Sequence, residues 1–162
     1  RNQMGNREDT LNHLLVWLMK DIMEIEEKFL ITGEFKDITN NDMHIIEAIG
    51  LEGHKKMTEI AKALSITTGT LTKSMDGLVR KQYVNRNRSE EDKRVVLISL
   101  TEKGMRAFHH HENFHKILIK RATRGMSEDE ICLLINVLAK LKDSFRLNFK
   151  IGEMVSDMLA DS

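Results

Sequence analysis

The sequence predicts a mainly α chain of six helices with a two-stranded β hairpin set between the fourth helix and the fifth. Three observations predict it. The 162 residues include no proline, the residue that helix interiors tolerate worst. Long stretches at both ends of the chain repeat apolar residues at steps of three and four. Between them, two short helical patterns joined by a tight turn run straight into strand, charged turn and strand.

The elements follow in order. Leu11, Leu15, Leu18, Ile22, Ile25 and Phe29 form one stripe of a long first helix, with Gly33 as its stop. A second helix starts near Thr39–Asn41, carries Met43, Ile46 and Ile49, and ends at Gly50 and Gly53. Thr58 is placed to cap a short third helix with Ile60, Ala61 and Leu64. After a tight turn at Ser65-Ile66, Thr67 caps a fourth helix that runs to about Lys81 and turns Leu71, Met75, Leu78 and Val79 to one side. Residues 83–86 read as a strand, 89–93 as a charged turn and 95–100, rich in β-branched residues, as the returning strand. Thr101 caps a fifth helix to about Arg124, broken by Gly125. Ser127 and Glu130 form a capping box for a last helix with Ile131, Leu134, Leu138, Leu141 and Phe145, continuing to about Leu159.

Composition narrows the function classes. Apolar residues are 41% and charged residues 31%, a globular balance. The single cysteine, Cys132, rules out an intrachain disulfide, and a reducing cytoplasm is expected. Its neighbours suggest a buried small hydrophobe in the apolar stripe of the last helix. No apolar run suits a membrane span, and no targeting segment is read. The zero net charge conceals a pattern: residues 1–53 hold five Lys and Arg against eleven Asp and Glu, whereas residues 54–106 hold twelve against six. A basic central segment can meet a polyanion.

That segment carries the chemistry. Opposite the apolar side of the fourth helix lie Gly69, Thr70, Lys73, Gly77 and Arg80. Thr reads base edges and phosphates, and Thr67 and Thr68 sit at the positive end of the helix dipole. Arg86, Arg88, Lys93 and Arg94 converge on the hairpin, where Asp92 orients Arg94 for a narrow minor groove. The expected DNA-contacting set is Thr58, Thr67, Thr68, Thr70, Lys73, Arg88, Lys93 and Arg94, with Asp92 as the orienting partner. Two helices, a tight turn and such a hairpin make a winged helix-turn-helix.

The stretch from Leu64-Ser65-Ile66-Thr67 through Leu78 and Arg86 to Asp92-Lys93-Arg94 and Leu100-Thr101-Glu102-Lys103-Gly104 resembles the MarR family of bacterial regulators. Asp-x-Arg followed by Leu-Thr-x-x-Gly is the most specific part. One departure is Gln82, where the family usually has Gly to end the recognition helix. The resemblance implies one MarR-like domain over 1–162, with the DNA-binding module at 54–100. Residues 8–53 and 101–162 would be the helical region of an intertwined homodimer on a palindromic double-stranded operator. Phe35-Lys36-Asp37-Ile38, Met43-His44, Arg88-Ser89-Glu90, Phe114-His115-Lys116 and Gly125-Met126-Ser127-Glu128 are similar to FabT-type repressors of fatty-acid biosynthesis genes. That similarity implies long-chain acyl-acyl carrier protein as co-repressor and partner, held at an apolar cavity. The ten methionines suit such a pocket, although Met19, Met23, Met43 and Met75 equally suit core packing.

Glu26, His44, His111 and His115 offer an alternative. His111 and His115 lie one helical turn apart, a metal-ligand spacing, and the four resemble the arrangement in zinc-sensing members of the same family. The main expectation is no metal and no cofactor. An enzyme is not expected: the sequence has no phosphate-cradling glycine loop, nucleophile elbow or His-Glu-x-x-His motif.

Overall fold

A computed structural model describes residues 2–31 and 33–148. The order is α1 (Asn2–Ile31), α2 (Asn40–Ile49), β1 (Lys55–Lys56), α3 (Met57–Ala63), α4 (Thr68–Arg80), β2 (Val84–Arg88), β3 (Val96–Leu100), α5 (Glu102–Ala122) and α6 (Glu128–Asn148). The expected continuation of the last helix to Leu159 lies outside the described residues. By its contacts the chain divides into two units, residues 1–116 and 117–162.

Most helix starts follow the predicted capping. Thr39 Oγ1 accepts the Asp42 N–H (3.1 Å), and the Asp42 carboxylate accepts the Thr39 N–H (3.1 Å). Thr67 accepts the Thr70 N–H (3.2 Å), Thr101 the Gly104 N–H (3.0 Å), and Ser127 and Glu130 cap each other reciprocally. Thr58 does not cap α3. The helix begins at Met57, so Thr58 already lies in its first turn, and Glu59 instead accepts the Lys56 N–H (2.6 Å).

Two helix ends use left-handed residues other than glycine. At the turn between α3 and α4, Ser65 has φ 55°; its N–H reaches Lys62 O (3.1 Å) and that of Ile66 reaches Ala61 O (3.0 Å). Gln82, with φ 66°, ends α4 in the same way, through Gln82 N–H to Val79 O (3.0 Å) and Tyr83 N–H to Leu78 O (2.9 Å). Both are Schellman closures. Both helices thus close without glycine, at a conformational cost of roughly 1 kcal/mol for each left-handed residue.

The wing has three strands, where two were expected. Their order is β1-β3-β2, all antiparallel, with Lys55 opposite Ile98 and Lys56 opposite Leu97. β1 is only two residues long and has no apolar alternation, so no periodicity announced it. Behind the sheet, the core gathers Met43, Ile46 and Ile49 of α2, Ile60 of α3, Leu71, Met75 and Leu78 of α4, and Tyr83, Ile98 and Ala107, all fully or almost fully buried.

The Leu-Thr-x-x-Gly stretch is the clamp between wing and α5. Thr101 N–H donates to Tyr83 O (3.0 Å), Thr101 Oγ1 donates to Gln82 O (2.6 Å), and Gly104 lets the first turn of α5 lie against that carbonyl. A Cβ there would sit 2.1 Å from Tyr83 O. The Tyr83 hydroxyl in turn donates to Asp37 (2.5 Å), and Lys103 Nζ lies over its ring at 4.2 Å.

Met43 and Met75 are core residues, whereas Met19 and Met23 are exposed. In the α1 stripe, Leu15, Ile22 and Phe29 are half-buried and Leu11, Leu18 and Ile25 exposed. Cys132 is exposed and not buried as expected. At 100° per residue it lies about 140° from the stripe that contains Leu134 and Leu141. Among the described residues, no helix is long and apolar enough to cross a membrane.

Candidate nucleic-acid interface

α4 presents the surface that the sequence marked. Thr67, Thr68, Gly69, Thr70, Lys73 and Arg80 are all exposed. The Thr67 and Thr70 hydroxyls lie 2.9 Å apart, so the capping bond also orients the hydroxyl of Thr70. Thr72 Oγ1 donates back to Thr68 O (2.7 Å). Thr58 is exposed in the first turn of α3.

On the wing, Arg88, Lys93 and Arg94 are exposed around a short turn. Val95 N–H donates to Asp92 O and Ser89 N–H to Val95 O, both at 2.9 Å. The Asp92 carboxylate accepts the main-chain N–H of Arg94 (3.0 Å), while Ser89 Oγ accepts from Glu91 and Asp92. Asp92 therefore acts on the backbone that carries Arg94 and not on its guanidinium, which is left to reach outward. An Asp two residues before the arginine is the spacing that such a turn requires. Sequence reasoning left out the ion pair between Arg86 Nη1 and Asp76 Oδ1 (2.7 Å), which joins β2 to α4.

The histidines and Glu26 do come together, away from this surface. His111 is fully buried and Glu26 nearly so. His111 Nε2 pairs with Glu26 Oε1 and Nδ1 with Glu47 Oε1 at 2.5 Å. A carboxylate at each ring nitrogen favours the imidazolium form, in which both nitrogens donate. Burial pushes the imidazole down, but the bonds to Glu47 and Glu26 outweigh it and His111 titrates above its ordinary value. Burial raises the Glu47 carboxyl, and the bond from His111 outweighs that, holding it below its ordinary value. His44 Nδ1 lies 3.4 Å from Glu47 Oε2 and His115 Nε2 lies 3.9 Å from Glu47 Oε1. Donor atoms of Glu26, His111 and His115 all fall within 4.8 Å of one another.

Residues 30–110 match the family model described as transcriptional regulator SarA/Rot. The multiple antibiotic resistance protein MarR of Salmonella typhimurium is 30% identical over 106 residues, 65% of this chain and 74% of that protein. The chain belongs to the MarR family of winged-helix transcriptional regulators. An uncharacterized HTH-type regulator of Bacillus subtilis, YpoP, is 32% identical over 107 residues, 65% of this chain and 75% of that protein. Among solved structures, Streptococcus pneumoniae FabT in complex with DNA aligns with a TM-score of 0.81 at 36% identity, covering 86% of this chain and 97% of that one. A mutant MarR from E. coli complexed with operator DNA aligns at 0.65 and 27% identity, over 84% and 96% of the two chains. The FabT-like character read from the sequence is thus supported, and the relatives are DNA-binding regulators, not enzymes.

In this MarR-family regulator the pairings missed from sequence left faint signals. Glu47 lies one turn after His44 on α2, the offset that puts two side chains on one face. Arg86 occupies the same strand face as buried Val84, where a charge needs a partner.

Proposed function

We propose that this regulator represses fatty-acid biosynthesis genes by binding a palindromic operator as a homodimer, with long-chain acyl-acyl carrier protein as its co-repressor. The likeness to FabT across nearly the whole of that chain carries this reading. In it, α4 enters the major groove, where Thr67, Thr68, Thr70 and Lys73 meet bases and phosphates, with Thr58 on a flanking phosphate. Arg88, Lys93 and Arg94 serve the neighbouring minor groove, Asp92 holding the turn. Twofold symmetry sets the half-sites about one helical turn apart.

Two features support dimer and ligand. Apolar side chains are exposed on α1, among them Leu14, Trp17 and Leu18, and on α6, among them Ile135 and Leu138, as a helical dimer requires. An open groove of about 520 Å³ lies along α1, lined by Val16, Met19, Lys20, Met23, Glu24, Glu27 and Asn40. Flexible Met side chains suit an acyl chain. A ligand there raises operator affinity only by its preference for the helix spacing that fits DNA.

Gel shifts with promoter fragments of fatty-acid synthesis genes, with and without long-chain acyl-acyl carrier protein, test the reading. Tighter binding with the acylated carrier is expected. Unchanged affinity removes the co-repressor, and a monomer by analytical ultracentrifugation removes the dimer.

A second reading is zinc-responsive regulation, favoured by the converging donors of Glu26, His111 and His115, with His44 beside them. Zinc must then displace a carboxylate from His111 and release the proton of that ring nitrogen to solvent, so binding weakens as pH falls. Zinc titration of His44→Ala, His111→Ala and His115→Ala variants separates this reading from the acyl one.

A further inference from the structure

The ion pair between wing and reading helix has a role that the DNA-contacting set does not include. β2 pairs with β3 so that Val84 faces Leu100, Arg86 faces Ile98 and Arg88 faces Val96. Alternation therefore puts Arg86 on the strand face of buried Val84, opposite fully buried Ile98. A guanidinium on that face has to find a carboxylate or point back to water. It finds Asp76, at 2.7 Å, with the Arg86 side chain 34% and that of Asp76 54% exposed.

Asp76 is the one acidic residue of α4. It stands three residues after Lys73 and four before Arg80, so all three share the outer side of the helix. A bare carboxylate there would face the phosphodiester backbone and repel it.

We propose that Arg86 is a positioning residue for operator binding: it masks Asp76 on the reading face and ties the wing to α4, and it does not itself contact a phosphate. The tie sets the distance between α4 in one groove and Arg94 in the next. This inference rests on the α4-and-wing interface proposed above.

The test is operator affinity against salt concentration for Arg86→Gln, Asp76→Asn and the double variant, with wild type as reference. Arg86→Gln should bind at least about tenfold more weakly, because it leaves Asp76 uncompensated. The double variant should recover to within about threefold of wild type, with an unchanged salt slope, since removing both charges leaves no bare carboxylate on the reading face. If Arg86 instead touches a phosphate, the double variant stays as weak as Arg86→Gln and its salt slope falls by about 1; that result overturns the proposal, as does Arg86→Gln at wild-type affinity. If Arg86→Gln alone does not fold, the affinity and slope of the double variant decide. Loss of operator binding in Arg94→Ala, measured in parallel, shows that the interface itself is correctly placed.

Discussion

Replacing Gly104 by alanine adds one methyl group in the first turn of α5 and tests the clamp that the Leu-Thr-x-x-Gly stretch builds. The new Cβ would meet the Tyr83 carbonyl oxygen at 2.1 Å and Leu100 Cβ and Cδ2 at 3.2 Å. The first contact is with backbone, which cannot rotate away, so strand or helix must move by close to an ångström. Overpacking of this kind costs about 1–3 kcal/mol. The same carbonyl accepts the Thr101 N–H at 3.0 Å, and weakening that bond adds roughly 1 kcal/mol. Alanine returns about 0.5–1 kcal/mol of helix propensity. The net expectation is a loss of roughly 1–3.5 kcal/mol, which for a chain of this length is a fall in Tm of about 2–14 °C. Thermal and urea unfolding of wild type and variant, at equal protein concentration because a dimer's Tm depends on it, give the answer. A variant within about 0.5 kcal/mol of wild type refutes the clamp.

Further outcomes are expected. Arg94→Ala weakens operator binding strongly with the fold intact, and Asp92→Ala follows it in part, because that carboxylate holds the Arg94 backbone; gel shifts at physiological salt check both. Thr67→Ala removes the cap of α4 and lowers stability by about 1 kcal/mol, read by urea unfolding. Gln82→Gly relieves the left-handed residue at the end of α4 and raises stability by up to about 1 kcal/mol, again by urea unfolding. For the buried triad, the raised His111 pKa contributes stability that is complete below its ordinary value of 6.5 and is lost as pH rises through the folded value. The lowered Glu47 pKa contributes stability present above its ordinary value of 4.5 and lost as pH falls through the folded value. Urea midpoints across pH should fall in both directions, and a midpoint that keeps rising above pH 6.5 contradicts the triad.

Local chemistry made much of this legible. Thr67, Thr101 and the Ser127–Glu130 box act within three or four residues, so their types and spacing alone announce the helix starts. Asp92 and Arg94 are two residues apart and meet in one turn. The exposed threonines and Lys73 of α4 followed from a helix wheel. Thr58 failed because a side chain one residue away, Glu59, satisfied the helix start first. Cys132 was misplaced because a neighbour in sequence was taken for a neighbour on the helix face.

Apart from the meeting of Glu26 with His111, which the resemblance implied, interactions between distant segments were not legible. Glu47 meets His111 across 64 residues of chain, β1 pairs with β3 through two lysines, and Arg86 finds Asp76 only once β2 is laid beside α4. By itself the sequence determined the helices, most of their caps, the exposed threonine-bearing face of α4 and the family, because each rests on periodicities and bonds spanning a few residues. Tertiary structure alone decided which charges of separate elements are paired, since such a partner is set by what packing brings within a few ångströms and not by spacing along one helix.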